Sequence, residues 1–311
     1  FQVAQEKLYR LYDTFGEKDI RYSYGDGIAG IYWLIIYLQK YGFIHESNLN
    51  ELVEDIEAFL IKALFFELQR GNFDFLYGGI GVANALLNRS ENLHLLDKIV
   101  QYIEMHAIMN KKGEIKWKNT GWGNLPATYN LGISHGMLSI IVYLSKVYEI
   151  TKDELVLNLI RGGVKFFLKQ KKDSIIQFPT VVYLNGRHQF PSSLGWCYGD
   201  LGIGISLLLI GKRIEELELQ NEAIKILTRT TLRNNHQKEM LYASLCHGAA
   251  GASHIYYRCH CETGMQQFKD SSDYWLKEAL KMSKFEDGYA GFKRFTDKGW
   301  ENDAGFLCGV S

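Results

Sequence analysis

Proline is almost missing from this chain of 311 residues, with three against 30 glycines. A helix interior tolerates proline poorly, because its ring removes a donor and collides with the carbonyl four residues back. The long apolar and amphipathic stretches hold none of the three, so nothing prevents them from being helical. Cysteine is scarce too: there are five, an odd count without disulfide-scaffold spacing, which points to a reducing compartment and makes a cytoplasmic location the default. Net charge is absent, with 35 Lys plus Arg against 35 Asp plus Glu and no run of like charge. That excludes the basic footprint of a nucleic-acid binder. No apolar run approaches the roughly 20 residues that span a bilayer; the longest, Gly30 to Leu38, reads as a core helix. No signal-peptide pattern stands at the start, and a first residue of Phe1 rather than Met leads us to expect that the natural N-terminus lies further upstream.

What the chain does have is apolar material, 47% of residues, 14% being aromatic. That is enough for a large core, and no linker-like composition divides it, so residues 1–311 are expected to form a single domain. A search for internal similarity finds a short glycine cassette repeated along the chain. It reads Asp26-Gly27-Ile28-Ala29-Gly30, Tyr77-Gly78-Gly79-Ile80-Gly81, His135-Gly136-Met137-Leu138-Ser139, Tyr198-Gly199-Asp200-Leu201-Gly202, His247-Gly248-Ala249-Ala250-Gly251 and Cys308-Gly309-Val310-Ser311. The first glycines stand at 27, 78, 136, 199, 248 and 309, at intervals of 51, 58, 63, 49 and 61 residues. Each interval holds two helices and two loops.

Behind each complete cassette the chain is continuously apolar, as in Ile140 to Leu144 or Ile205 to Ile210, the pattern of a helix buried nearly all round. Between cassettes come amphipathic stretches with one wet face, such as Glu51 to Leu64 and Leu93 to Val100. Alternating buried and half-wet helices imply two concentric layers, an all-α fold of the α/α toroid type. A glycine at the mouth of each inner helix lets backbones converge and turns helix N-terminal N–H groups toward a shared centre. For the Gly27 and Gly309 cassettes, plain helix-start glycines are the preferred reading.

Side chains just ahead of the glycines should then ring one cavity: Asp26, Tyr77, His135, Tyr198, His247 and Cys308 immediately before, and Cys197 and Cys246 two before. Cys197, Cys246 and His247 make a soft three-ligand set suited to Zn²⁺, and three protein ligands leave a fourth position open, the mark of a catalytic site. A lone cysteine in an apolar segment is usually a small hydrophobe; the recurrence of both cysteines at one register argues otherwise. Cys308 is one position off from them and reads as packing. Cys259-His260-Cys261 belongs to no cassette and reads as a loop with incidental thiols.

Trp196-Cys197-Tyr198-Gly199, Cys246-His247-Gly248 and Asn130-Leu131-Gly132-Ile133-Ser134-His135-Gly136 resemble the three signature segments of the lanthionine synthetase C-like family. The resemblance runs from the Gly27 cassette to the Gly309 cassette and is nearest to the stand-alone bacterial cyclases of lanthipeptide biosynthesis. It implies a toroid with a central zinc on Cys197, Cys246 and His247. The implied reaction adds a precursor-peptide cysteine to a dehydroalanine or dehydrobutyrine, closing a thioether ring. The dehydrated precursor peptide would be the substrate. By analogy a dehydratase and a transporter would be partners, and through them the chain would sit peripherally at a membrane; no residue pattern points to either. Within the resemblance, His135 is suited to protonate the enolate left by the addition. Asp74 matches a family aspartate four residues before the second cassette's glycine and would orient His135 or assist proton transfer, with a helix N-cap as its alternative. Tyr198 would hydrogen-bond the developing enolate, or simply pack at the helix mouth.

One departure stands out. Similar bacterial cyclases commonly carry an arginine four residues before the zinc cysteine, where this chain has Ser193; loss of that cation would weaken enolate stabilisation or alter order around the site. It leaves open a second function, a zinc protein of the same family that binds a peptide or a small thiol such as glutathione without cyclising. A prenyltransferase-type zinc toroid does not fit, because its Asp, Cys and His ligands come in a different order. The chain stops inside its last cassette, so the natural protein is expected to be longer.

Overall fold

The computed structural model describes residues 21–44, 49–118, 128–185, 187–233 and 240–309. Phe1 and the Val310-Ser311 end of the last cassette lie outside them. Among the described residues ten α-helices alternate between two roles. Five begin on a cassette: α1 (Ile28–Lys40), α3 (Gly79–Leu86), α5 (Met137–Thr151), α7 (Asp200–Arg213) and α9 (Ala249–Thr263). Five follow them on the outside: α2 (Asn50–Gln69), α4 (Leu96–Met105), α6 (Glu154–Leu168), α8 (Leu217–Thr231) and α10 (Gln266–Lys281). Each inner helix packs on its own outer helix or that helix's neighbour and on the next inner helix along the chain. The result is an α/α toroid, as expected.

Burial follows the roles. In α7, buried residues run almost without break from Asp200 to Gly211, whereas α2 buries Val53, Ile56, Leu60, Leu64 and Leu68, one stripe at helical spacing. These faces meet in one apolar core, with each fully buried aliphatic side chain contributing about 1.5–3 kcal/mol. Local signals agree with the packing: Asp153 caps α6 by accepting from Leu155 N at 2.7 Å, and Gly264 ends α9 in the left-handed conformation at φ 70°.

The cassettes are tight turns with one recurrent bond. The N–H just after the first cassette glycine donates to the carbonyl six residues before that glycine: Ile28 to Arg21 at 2.8 Å, Gly79 to Asn72 at 2.9 Å, Asp200 to Ser193 at 2.9 Å and Ala249 to Tyr242 at 3.0 Å. The glycines are required by close approach, not by dihedral angle, since Gly199 and Gly248 have extended φ of −108° and −116°. A Cβ on Gly202 would lie on the Trp196 carbonyl, and one on Gly251 on the Leu245 carbonyl.

Successive cassettes are also bonded to one another. Gly25 N donates to Leu76 O (2.9 Å), Leu76 N to Ser134 O (3.3 Å), Ile133 N to Cys197 O (3.0 Å), Trp196 N to Cys246 O (2.7 Å) and Cys246 N to Leu307 O (2.9 Å). Gly25, Leu76, Ser134, Cys197, Cys246 and Leu307 all stand two residues before their cassette glycine. This arc of backbone runs through all six cassettes, including those of Gly27 and Gly309, which are therefore more than plain helix starts.

Three expectations need correction. The core helix read over Gly30 to Leu38 is α1, but it is not buried all round: Leu34 and Tyr37 are each 42% exposed. The amphipathic stretch from Leu93 begins as a 3-10 turn, Ser90–Leu95, and becomes helical at Leu96. Cys259, His260 and Cys261 lie in the last turns of α9, not in a loop; Cys259 is in the core and Cys261 is exposed, because residues two apart on a helix face nearly opposite ways. Small antiparallel sheets also occupy the connections: β1 (Ile108–Met109) with β2 (Ile115–Lys116), β3 (Thr128–Asn130) with β4 (Pro179–Tyr183) and β5 (His188–Pro191), and β6 (Arg294–Thr296) with β7 (Gly299–Glu301).

Gly251→Ala is expected to cost about 2 kcal/mol or more, because its Cβ overlaps a backbone carbonyl that only a shift of the turn can clear. Urea unfolding measures this, and a loss below about 0.5 kcal/mol would show the turn to be slack.

Candidate metal centre and its surroundings

Two neighbouring links of the cassette arc carry Cys197 and Cys246, so residues separated by almost fifty positions lie side by side. The ligand atoms of Cys197, Cys246 and His247 are all within 4.8 Å of one another, and Cys197 Sγ is 3.9 Å from His247 Nδ1. Tetrahedral zinc, with bonds of about 2.3 Å to sulfur and about 2.0–2.1 Å to nitrogen, sets ligands about 3.6–3.8 Å apart, so small side-chain movements bring these three onto one ion. Cys246 is buried and Cys197 half-buried. The ring of His247 is held from behind: its Nε2 is in hydrogen-bond contact with the Tyr242 hydroxyl. With Nε2–H given to that oxygen the lone pair lies on Nδ1, toward Cys197, the arrangement that orients a metal-binding histidine. Donor set, spacing and support all fit a zinc ion.

The thiols share charge. The Cys246 S–H donates to Cys197, which with nearby His247 pulls the Cys197 pKa down to about 5. Cys246 is held well above the ordinary thiol range by the sulfurs it donates to, Cys197 and Cys308. His247 is raised by its contact with Cys197. The centre therefore has thiolate character at neutral pH before any metal arrives.

At the third cassette, His135 Nδ1 meets Asp74 Oδ2 at 2.7 Å. The other oxygen, Asp74 Oδ1, accepts from Leu76 N at 2.8 Å and Tyr77 N at 2.9 Å. One oxygen of Asp74 thus faces His135, while the other closes the turn ahead of α3, whose N-cap residue is Gly78. Tyr77 stacks on His135 with ring centroids 5.6 Å apart, and the Tyr198 ring lies 6.1 Å from it. The Tyr198 hydroxyl accepts from Asn130 Nδ2 at 3.1 Å, and burial raises its pKa, so it remains a donor.

The loop bearing Cys197 is pinned by a buried pair outside the centre. Asp200 accepts from Gln177 N, Phe178 N and Arg233 at 2.8, 3.0 and 2.8 Å and from the Ser192 hydroxyl; Asp200 and Arg233 are 0% and 1% exposed. Ser193 serves the same turn, its hydroxyl accepting from Gly195 N at 3.0 Å, and brings no charge.

Two residues that sequence reasoning left out, Tyr242 and Arg294, also bear on the centre. Tyr242 holds His247. Arg294, on β6, pairs with Asp303 at 2.9 Å and puts positive charge near Tyr242, His247 and Cys308. Cys308, read as packing, interacts electrostatically with the Cys246 thiol, which lowers its pKa to about 6. Tyr242 was detectable, because it stands six residues before Gly248, as Asn130 does before Gly136. Arg294 has no such register.

The family model for "Lanthionine synthetase C-like protein" matches residues 4–311. No curated protein sequence matches the chain. Among solved structures the chain is similar to one titled "Nisin cyclase", with a TM-score of 0.72 and 17% identity, covering 99% of this chain and 78% of that one. It is also similar to a GH76 α-mannanase of Bacteroides thetaiotaomicron, with a TM-score of 0.52 and 12% identity over 91% of this chain and 79% of the other. At these identities the likenesses establish the fold. No described helix is long and apolar enough to cross a membrane.

Two measurements test the centre directly. In the metal-free protein, iodoacetamide at pH 6.5 should alkylate Cys197 and Cys308, whose lowered pKa values keep them thiolates until the pH falls toward 5 and 6 respectively, and should spare Cys246 and Cys259; peptide mapping reads the pattern. Asp200→Ala should cost about 3–5 kcal/mol by leaving Arg233 buried without its carboxylate, as denaturant unfolding will show.

Proposed function

The chain belongs to the lanthionine synthetase C-like family, and from that premise we propose that it is a zinc-dependent lanthipeptide cyclase, residues 1–311 acting as one unit. The observation that carries the proposal is the meeting of Cys197, Cys246 and His247 within 4.8 Å of one another, beside a second constellation, the His135–Asp74 pair at 2.7 Å. The first suits a soft metal and the second suits proton transfer. The substrate would be a precursor peptide carrying a cysteine and a dehydroalanine or dehydrobutyrine.

Cys197, Cys246 and His247 would hold the ion, which when bound supplies an incoming cysteine as thiolate at neutral pH, below its free pKa of about 8.5. The sulfur bonds to the β-carbon of the dehydro residue and the π electrons move onto the carbonyl oxygen as an enolate. Tyr198 donates a hydrogen bond to the developing negative charge. His135 exchanges the proton: with Nδ1 engaged by Asp74, Nε2 delivers H⁺ to the α-carbon, and the Asp74 carboxylate stabilises the charged ring. The thiol proton lost on binding balances the proton gained at carbon, so ring closure leaves the mass unchanged.

Partners in the cell, a dehydratase and a transporter, and a cytoplasmic setting at the membrane through them, belong to the same proposal. A second reading draws support from Ser193, an uncharged turn residue at the position of the family arginine: binding of a peptide or of a small thiol such as glutathione without cyclisation. The purified protein should contain about one zinc per chain, and Cys246→Ala should lose it. Incubated with a peptide bearing one dehydroalanine and one cysteine, it should consume the free thiol at constant mass. His135→Ala should retain zinc but slow ring closure by about 10²–10⁴-fold. Peptide binding with the thiol left intact would favour the second reading, and a zinc-free protein would overturn both.

A further inference from the structure

A metal held by two cysteines and one histidine has one tetrahedral position left. The nearest further soft donor is in the chain itself. Cys308 stands immediately before the sixth cassette glycine, the register that His247 occupies in the fifth. Its neighbour Leu307 accepts the Cys246 N–H at 2.9 Å, so the backbone carrying Cys308 is bonded directly to a proposed ligand. Its thiol lies near enough to the Cys246 thiol to interact with it. The short segment is itself fixed, with Gly305 N donating to Asp303 Oδ1 at 2.7 Å, Gly309 N to Gly305 O at 2.8 Å and Arg294 to Asp303 Oδ2 at 2.9 Å. Cys308 is half-buried and is not one of the three residues whose ligand atoms lie within 4.8 Å of one another. It stands beside the set, on backbone bonded to Cys246.

We propose that Cys308 is a displaceable fourth ligand: in the resting protein it closes the metal site with its sulfur, and a substrate cysteine enters by replacing it. This rests on the zinc site proposed above. A sulfur donor from the protein outcompetes water at a soft, thiolate-rich site, so a thiol bonded into the same arc does not leave the position to solvent. The exchange balances. One metal–sulfur bond to Cys308 breaks and one to the substrate sulfur forms, the proton given up by the incoming thiol passes to Cys308, and no electron is transferred. Coordination number and charge at the ion stay constant, which gives thiols an advantage over other nucleophiles at entry.

X-ray absorption at the zinc edge of the full chain tests this without turnover. The resting protein should show three sulfur and one nitrogen neighbours, and Cys308→Ser two sulfurs with two lighter atoms, with zinc affinity falling about tenfold in chelator competition. A cysteine-containing peptide should leave the count at three while Cys308 becomes open to alkylation. Two sulfurs in the resting wild-type protein would overturn the proposal and leave the zinc site standing, as would a Cys308→Ser spectrum identical to wild type. A chain that binds no zinc would remove the site beneath it.

Discussion

Five backbone hydrogen bonds, passed from each cassette to the next through the residue two places before its glycine, set the geometry on which everything else depends. Each contributes only about 1 kcal/mol net, yet together they impose one register on six distant pieces of chain. Residues one place further along then face a common centre, whatever their separation in sequence. The glycines follow from the same constraint: turns tight enough to bring six backbones together leave no room for a Cβ against the carbonyl six residues back.

Within that frame the chemistry divides by position. The arc puts Cys197 and Cys246 on adjacent links, with His247 next to one of them, and sets His135 near the rings of Tyr77 and Tyr198 with Asp74 hydrogen-bonded to it. Soft donors collect in one cluster and a hydrogen-bonded acid–base pair in another, as the proposed addition of a thiol to an electrophilic alkene would require. Support comes from outside the centre. The buried Asp200–Arg233 pair fixes the turn that leads into Cys197, and Tyr242 fixes the ring of His247. Arg294 brings a guanidinium into the neighbourhood of the thiols from a hairpin of its own, where Ser193 brings none.

Much of this could be read from the chain because repetition exposes register. Cys197 and Cys246 share a place in successive cassettes, so their pairing follows once the cassettes are taken to converge, and the helix roles follow from whether apolar residues run continuously or in stripes. Reading failed where local pattern and tertiary position part company. Leu34 and Tyr37 belong to an apolar run and yet lie exposed on α1; Cys308 looked misaligned with the other cysteines and yet interacts with Cys246, because its neighbour Leu307 is bonded to the Cys246 backbone. Cys259-His260-Cys261 has ligand-like composition, but helical twist sends its two sulfurs to opposite faces.

The sequence alone determined the periodic elements: which stretches are helical, where each turn needs glycine, and which reactive side chains stand at the turns. These are properties of short windows, governed by hydrophobic period and by the steric demand of a turn. Tertiary structure alone decided what the turns hold between them. Asp74 serving a turn and His135 at once, and Arg294 and Cys308 entering from the last hairpin and loop, are contacts between residues far apart in the chain. They exist because backbone hydrogen bonds draw separate segments to one centre, and no window of sequence contains both partners of such a bond.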